Sequence, residues 1–294
     1  MMRIPLSASL AAWCFLLSGV GICHAESNDS ETVRLRERTS AFARHLESIG
    51  QPAAAAQEYL RSLWLGGDLD DSLGVQAAEG IARAYFMAGE YEATIRWSRN
   101  PALSDWSTCS RLGIEWMAAR ASLRMSAAPQ ALDILTSQAA DSCTNLSTED
   151  RARWTYLQAV AYAHHRDWDS ALQRFSAVPS AAVTGASAQQ GARIAQEALA
   201  FEPKSPNRAS WLGIVPGAGY IYAGFPKSGI SALIVNAVFA QATREAFRHD
   251  QNTLGWFMGV LTASWYVGSI YGSGASANRY NEYHQDAFLK RLSY

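Results

Sequence analysis

Few residues in this chain of 294 stand at the spacings that catalysis or metal binding requires. His164 and His165 form the one adjacent histidine pair. Neighbouring residues on a helix point to different faces, so the pair reads as a surface or groove feature rather than a metal site. The sequence holds no His-Glu-x-x-His, paired-cysteine zinc pattern, Gly-x-Ser-x-Gly or Walker loop. Glu149, Asp167 and Asp169 read as solvated acids at helix ends. Gly217-Ala-Gly219 would imitate a phosphate-cradling loop, but it follows Pro216 and lacks a βαβ context. No catalytic, cofactor-binding or metal-ligating residue is identified, so the expectation is a protein that is not an enzyme and carries no cofactor.

The cysteines carry a different chemistry. Arg3, an apolar stretch from Leu6 to Ile22, and Cys23-His24-Ala25 before Glu26 have the form of a cleaved secretory signal peptide over residues 1–25. Lipidation of Cys23 and a retained anchor are the alternatives, although Ile22 is larger than the residue that should precede a lipidated cysteine. Cleavage leaves Cys109 and Cys143, which in an exported chain suggest one disulfide; two buried free thiols are the other reading. The predicted helices place Cys109 before, and Cys143 after, one antiparallel hairpin, so a bridge is feasible and would be a staple. A formal charge of −1 gives no net pull toward nucleic acid. With 49% hydrophobic and 17% charged residues, the chain can bury a core.

Four segments share a pattern of small residue, turn and alanine-rich second helix, beginning at Ala43, Ala82, Ala119 and Ala159. Their second-helix positions Ala55, Thr94, Ala131 and Ala171 are spaced by roughly 37 to 40 residues. Small residues let the two helices of a hairpin approach, Tyr85, Tyr162 and Trp168 fill the space between hairpins, and Gly50 and Gly89 end first helices. The second and fourth segments resemble the TPR family through Ala84-Tyr85, Gly89-Glu90-Tyr91 and Ile95, and through Ala161-Tyr162, Asp167-Trp168 and Ala171-Leu172. The resemblance covers roughly residues 35 to 180, and Pro52 and Ala128 depart from it in the other two copies. It implies a scaffold that binds a protein or peptide, with Ala82, Tyr85, Gly89, Tyr91, Ala159, Tyr162, Trp168 and Ala171 packing the repeats. Residues 186 to 201 read as a capping helix, and residues 202–207 as a linker broken by two prolines.

Beyond Arg208 the composition turns apolar. Ser228 to Ala242 and Leu254 to Gly272 are apolar runs around a polar connector, Arg244 to Asn252, which predicts a helical hairpin. Small residues recur at helical spacing in the second run: Gly255, Gly259 and Ala263, then Ser264, Gly268 and Gly272. The expectation is a membrane hairpin, with a water-soluble apolar pair packed on the repeats as the alternative. Pro216-Gly-Ala-Gly-Tyr-Ile-Tyr-Ala-Gly-Phe-Pro-Lys-Ser-Gly229 resembles a bacterial envelope family in which a TPR-like exported region precedes a membrane domain opening with Pro-Gly-x-Gly-x-x-Tyr-x-Gly. Pro216, Gly217, Gly219, Tyr222, Gly224, Lys227 and Gly229 match it, as does the tail Ala277-Asn-Arg-Tyr-Asn281. The resemblance implies an envelope location, and no established activity or catalytic residue comes with it. The stretch reads as a structural turn, with Tyr220 and Tyr222 at an interface and Lys227 snorkelling, or as an element touching lipid or a partner. Tyr280, Tyr283, Phe288 and Leu292 form one side of a tail that lies either along a membrane or back on the repeats.

The sequence thus predicts an all-α protein: signal peptide 1–25, TPR-like helical repeats 26–201 with a capping helix, linker 202–207, and apolar membrane domain 208–294. Its expected role is a periplasm-facing scaffold, anchored to the bacterial envelope and holding a protein partner. The alternative is a membrane-active accessory protein for transport or assembly, in which Asn236, Gln241 and Asn278 would converge.

Overall fold

The computed structural model describes residues 25–65, 71–137, 143–144 and 146–292, and these form helices and turns without a strand. Residues 1–24, on which the signal-peptide reading rests, lie outside the described residues. The chain packs as two compact units that divide after Ala121.

The first unit contains α1 (Ala25–Ser48), α2 (Pro52–Trp64), α3 (Ser72–Met87), α4 (Tyr91–Ser98), a 3-10 turn (Pro101–Leu103) and most of α5 (Thr108–Arg124). Helix α1 packs on α2, α2 on α3, and α3 on α4. Alanines Ala43, Ala55, Ala77, Ala78, Ala82 and Ala84 are fully enclosed with Tyr59, Leu63 and Ile81. The approach is close enough that a Cβ on Gly80 would stand 2.7 Å from the Tyr59 ring. Arg36 is buried beneath this layer and holds Asp71 through two bonds, of 2.5 and 2.9 Å. Asp71 also caps α3 by accepting the Gly74 N–H. The paired guanidinium keeps the Asp71 carboxyl below the ordinary carboxylate range.

The second unit contains α6 (Ala128–Thr136), α7 (Thr148–His164), α8 (Trp168–Ala177), α9 (Gly185–Leu199), α10 (Pro206–Leu212), α11 (Ala218–Tyr222), α12 (Pro226–Arg248) and α13 (Asn252–Leu289). Helices α6 to α9 pack in sequence, with Gly191 seated against the Phe175 ring. Asp167 caps α8 by accepting the Ser170 N–H, and Glu149 accepts the Val183 N–H, so neither is merely a solvated acid.

Six helix-to-helix turns share one geometry. A residue with positive φ closes the first helix at Gly50, Gly89, Ser126, Arg166, Gly224 and Asp250. The next N–H reaches back five residues: Gln51 to Leu46, Glu90 to Tyr85, Ala127 to Ser122, Asp167 to Tyr162, Phe225 to Tyr220, Gln251 to Ala246. Four residues further on, Ala55, Thr94, Ala131, Ala171, Gly229 and Gly255 are all buried. Seven residues before the turn residue stand Ala43, Ala82, Ala119, Ala159 and Gly217, also buried, and half-buried Thr243. Four of these turns fall within the segments whose pattern recurs in the sequence. The fifth is the glycine signature itself: Gly217, Tyr220, Ala223, Gly224 and Ile230 occupy the places of Ala82, Tyr85, Ala88, Gly89 and Ile95. The signature is therefore one more helical hairpin, with glycine where the others use alanine because the backbones come closer.

Three expectations are corrected. Among the described residues, no helix is long and apolar enough to cross a membrane. Lys227, Asn236, Gln241, Arg244 and Glu245 interrupt α12, and serines, glycines and aromatic residues dilute α13. The segment 202–207 is not wholly a linker: Ser205 caps α10 by accepting the Arg208 N–H, and Pro206 occupies the first turn, where proline lacks only a bond that is unmade anyway. The small residues of α13 do not form two packed rows. Gly255 meets the Phe247 ring and Gly259 the Thr243 methyl, whereas Ser264 is exposed and Gly268 faces open space.

Candidate functional site

In the second unit, α13 is a continuous helix of 38 residues, about 57 Å long. Its two halves have different surroundings. The C-terminal half is tied down on α8, α9 and the chain between α9 and α10. The Trp168 indole N–H donates to Gln285 Oε1 at 2.7 Å, and its ring meets Phe288 edge-on. Phe201 stacks on His284 and Tyr280. Arg291 pairs with Glu197, and Arg166 with Asp286. The Asn281 amide accepts the Lys204 N–H at 2.8 Å and donates to the Lys204 carbonyl at 2.9 Å, copying the pairing of two backbones. Lys204 Nζ donates to the Tyr222 carbonyl and sits over the Tyr222 and Tyr280 rings. The Tyr222 hydroxyl accepts the Ser205 N–H. The tail thus packs back on the helices, the second of the two arrangements open from sequence.

The glycine signature fixes the crossing point. Gly217 has φ 88°, and a Cβ there would collide with the Gly229 carbonyl. A Cβ on Gly219 would collide with the Ala209 carbonyl and would stand 2.6 Å from Ser273. Gly224 carries Tyr280 at 3.2 Å from the same construction. Pro216 borders the hairpin and Lys227 is exposed in the first turn of α12.

The N-terminal half of α13 pairs with α12 as a hairpin about 35 Å long. Inside it the Thr243 and Thr262 hydroxyls bond at 2.8 Å, and Asn236 is buried, donating to the Ala232 carbonyl. Outside it the apolar residues are open. Ile230, Leu233, Ile234 and Val238 of α12 are exposed, as are Leu254, Trp256, Phe257, Val260, Trp265 and Val267 of α13. Val238 and Val260 are each more than half exposed, at 60% and 63%, and Trp256 stands at 71%. On each helix these positions gather on a broad outward arc. A polar tip with Arg244, Glu245, Arg248 and His249 closes one end. A cleft of about 810 Å³ opens at the other end between α12 and α13, and includes Lys227, Ser231, Trp265 and Arg279.

Of the polar groups that a membrane-active protein would bring together, Asn236 is buried while Gln241 and Asn278 are exposed. Asn278 lies 12 residues beyond Tyr266, which shares a cleft with Asn236, so the two are about 18 Å apart along the helix. They do not converge.

The first unit carries a smaller pocket of about 180 Å³, with Arg44, Glu79 and Arg83 in its wall. Arg83 donates to Glu47 and to the Tyr59 hydroxyl at 3.1 Å each. Burial pushes the Tyr59 phenol up.

Of the expected repeat-packing residues, Ala82, Ala159, Ala171 and Trp168 are buried, Tyr85, Tyr91 and Tyr162 half-buried, and Gly89 exposed in its turn. Trp168 reaches the tail as well as the repeats. Cys109 and Cys143 are disulfide-bonded. His164 is half-buried, and burial lowers its pKa, while His165 is exposed. Lys204, Asn281 and Arg279 went unassigned from sequence, although the Tyr280-Asn281 element pointed to the region. No protein family, curated protein or solved structure matches the chain.

Proposed function

We propose that this chain is an exported, non-enzymatic scaffold of the cell envelope. A TPR-like solenoid of helical hairpins presents a surface to a protein or peptide partner, and the C-terminal hairpin buries itself in a membrane. The observation that carries the proposal is the outward apolar surface of α12 and α13. An exposed apolar surface that runs the length of the hairpin between a polar tip and a polar base suits the boundary between headgroups and acyl chains, where the apolar side chains meet lipid and both ends stay in water. The hairpin lies in the headgroup and upper acyl layer of one leaflet, with its charged tip and its base both in contact with water, and does not cross the bilayer. The disulfide supports an oxidising compartment. The repeated turn supports the solenoid.

Fractionation of the expressed protein tests the reading. Retention in membranes after a carbonate wash, with the array digested by protease added to spheroplasts, is the expected result. Recovery in the soluble fraction without a wash would remove the membrane from the proposal.

A further inference from the structure

We infer that the cleft at the base of the hairpin holds the anionic headgroup of a membrane phospholipid, an assignment that rests on the membrane reading above and adds a lipid class to it. The cleft is chemically divided along its length. Lys227, Ser228 and Arg279 line its polar end, and Val235, Leu261 and Trp265 its apolar wall. Lys227 and Val235 are eight residues apart on α12, about 12 Å along the axis. That separation suits a headgroup at one end and the first segments of an acyl chain at the other.

The charge is of one sign. No carboxylate among the described residues lines the cleft. Lys227 takes part in no ion pair among the described residues, and Arg279 donates to the Ser276 hydroxyl and lies near the Phe225 ring without an acid. Two cations left without a counter-charge beside hydroxyls form a phosphate site, and an arginine fork suits phosphate oxygens. Ser228 and Ser264 expose hydroxyls at the same cleft. The apolar wall runs on into the exposed Val238 and Val260 surface, so an acyl chain leaving the cleft continues along the hairpin. A free phosphate would use the cations and leave that wall bare, which is why the lipid is the assigned occupant.

Vesicle flotation of the full chain tests this, with phosphatidylcholine vesicles and with vesicles in which phosphatidylglycerol replaces part of it. The wild type is expected to bind both and to prefer the anionic vesicles by about 30-fold, about fivefold for each cation. Lys227→Gln with Arg279→Gln should abolish the preference and leave phosphatidylcholine binding unchanged. Arg208→Gln with Lys290→Gln, cations outside the cleft, should keep it. An equal loss in that control, or a preference that survives the cleft variant, overturns the assignment. Loss of the preference on adding inorganic phosphate at constant ionic strength names free phosphate as the occupant and also overturns it. Binding to phosphatidylcholine without a preference overturns the headgroup site alone, whereas no binding to either vesicle overturns the membrane reading with it.

Discussion

Asp71 serves two structures at once, capping α3 and neutralising the buried Arg36. Asp71→Ala should cost about 3 kcal/mol in urea denaturation, the low end for a broken buried pair because Asp71 is itself one-third exposed. Its folded pKa is depressed, so its contribution is complete above the ordinary carboxylate value and fades as pH falls through the folded one. His164 acts in a milder range. Burial lowers its pKa from 6.5, so below that pH the unfolded chain takes up a proton that the folded chain refuses. Thermal stability should therefore decline as pH falls through 6.5, and His164→Gln should flatten that decline. The glycines divide sharply. Gly217→Ala should cost about 2 kcal/mol or more, because φ is positive and the Gly229 carbonyl is in the way. Gly268→Ala meets open space within a helix and should stabilise by about 0.5 to 1 kcal/mol. From sequence Gly217 read as part of a turn and Gly268 as a packing residue at helical spacing; their neighbours are what set the two costs apart.

At the scale of elements, the repeat was legible because alanine and glycine recur where two helices touch. Ala43, Ala82, Ala119 and Ala159, with Ala55, Thr94, Ala131 and Ala171, are each fully buried. The turn residues were legible only where glycine marks them. Ser126, Arg166 and Asp250 take the same left-handed conformation without glycine, at about 1 kcal/mol or more each, and nothing in their type announces it. The fifth turn was hidden by its own signature, since Gly217 and Gly229 obscure the likeness to Ala82 and Thr94. The hairpin that follows offers a direct test of its surface. Val238→Asp with Val260→Asp should leave the melting temperature within a few degrees, because both residues are exposed, and should abolish vesicle flotation. Unchanged flotation would show that this surface is not the one that meets lipid.

Across the molecule, the long-range contacts were the part that local pattern could not reach. Trp168 and Gln285 are separated by 117 residues, and Lys204 and Asn281 by 77. An apolar tail reads equally as a membrane-surface helix or a packed one, and the decision lies with Phe201 and Trp168 on other elements. Asn281→Ala should therefore speed amide exchange at Lys204 and loosen residues 202–205 while leaving the first unit unchanged. Opening the Cys109–Cys143 disulfide should lower stability by about 3 to 4 kcal/mol, measured as a shift in urea midpoint with and without reductant. The most direct test of the whole account is lipid contact at a single exposed residue. A fluorophore placed by Val238→Cys should be quenched by brominated phospholipid and shielded from aqueous iodide, while the same probe at Val183→Cys, in the exposed connection between α8 and α9, should show the reverse. Equal iodide quenching at both positions in the presence of vesicles would contradict a hairpin buried in the membrane.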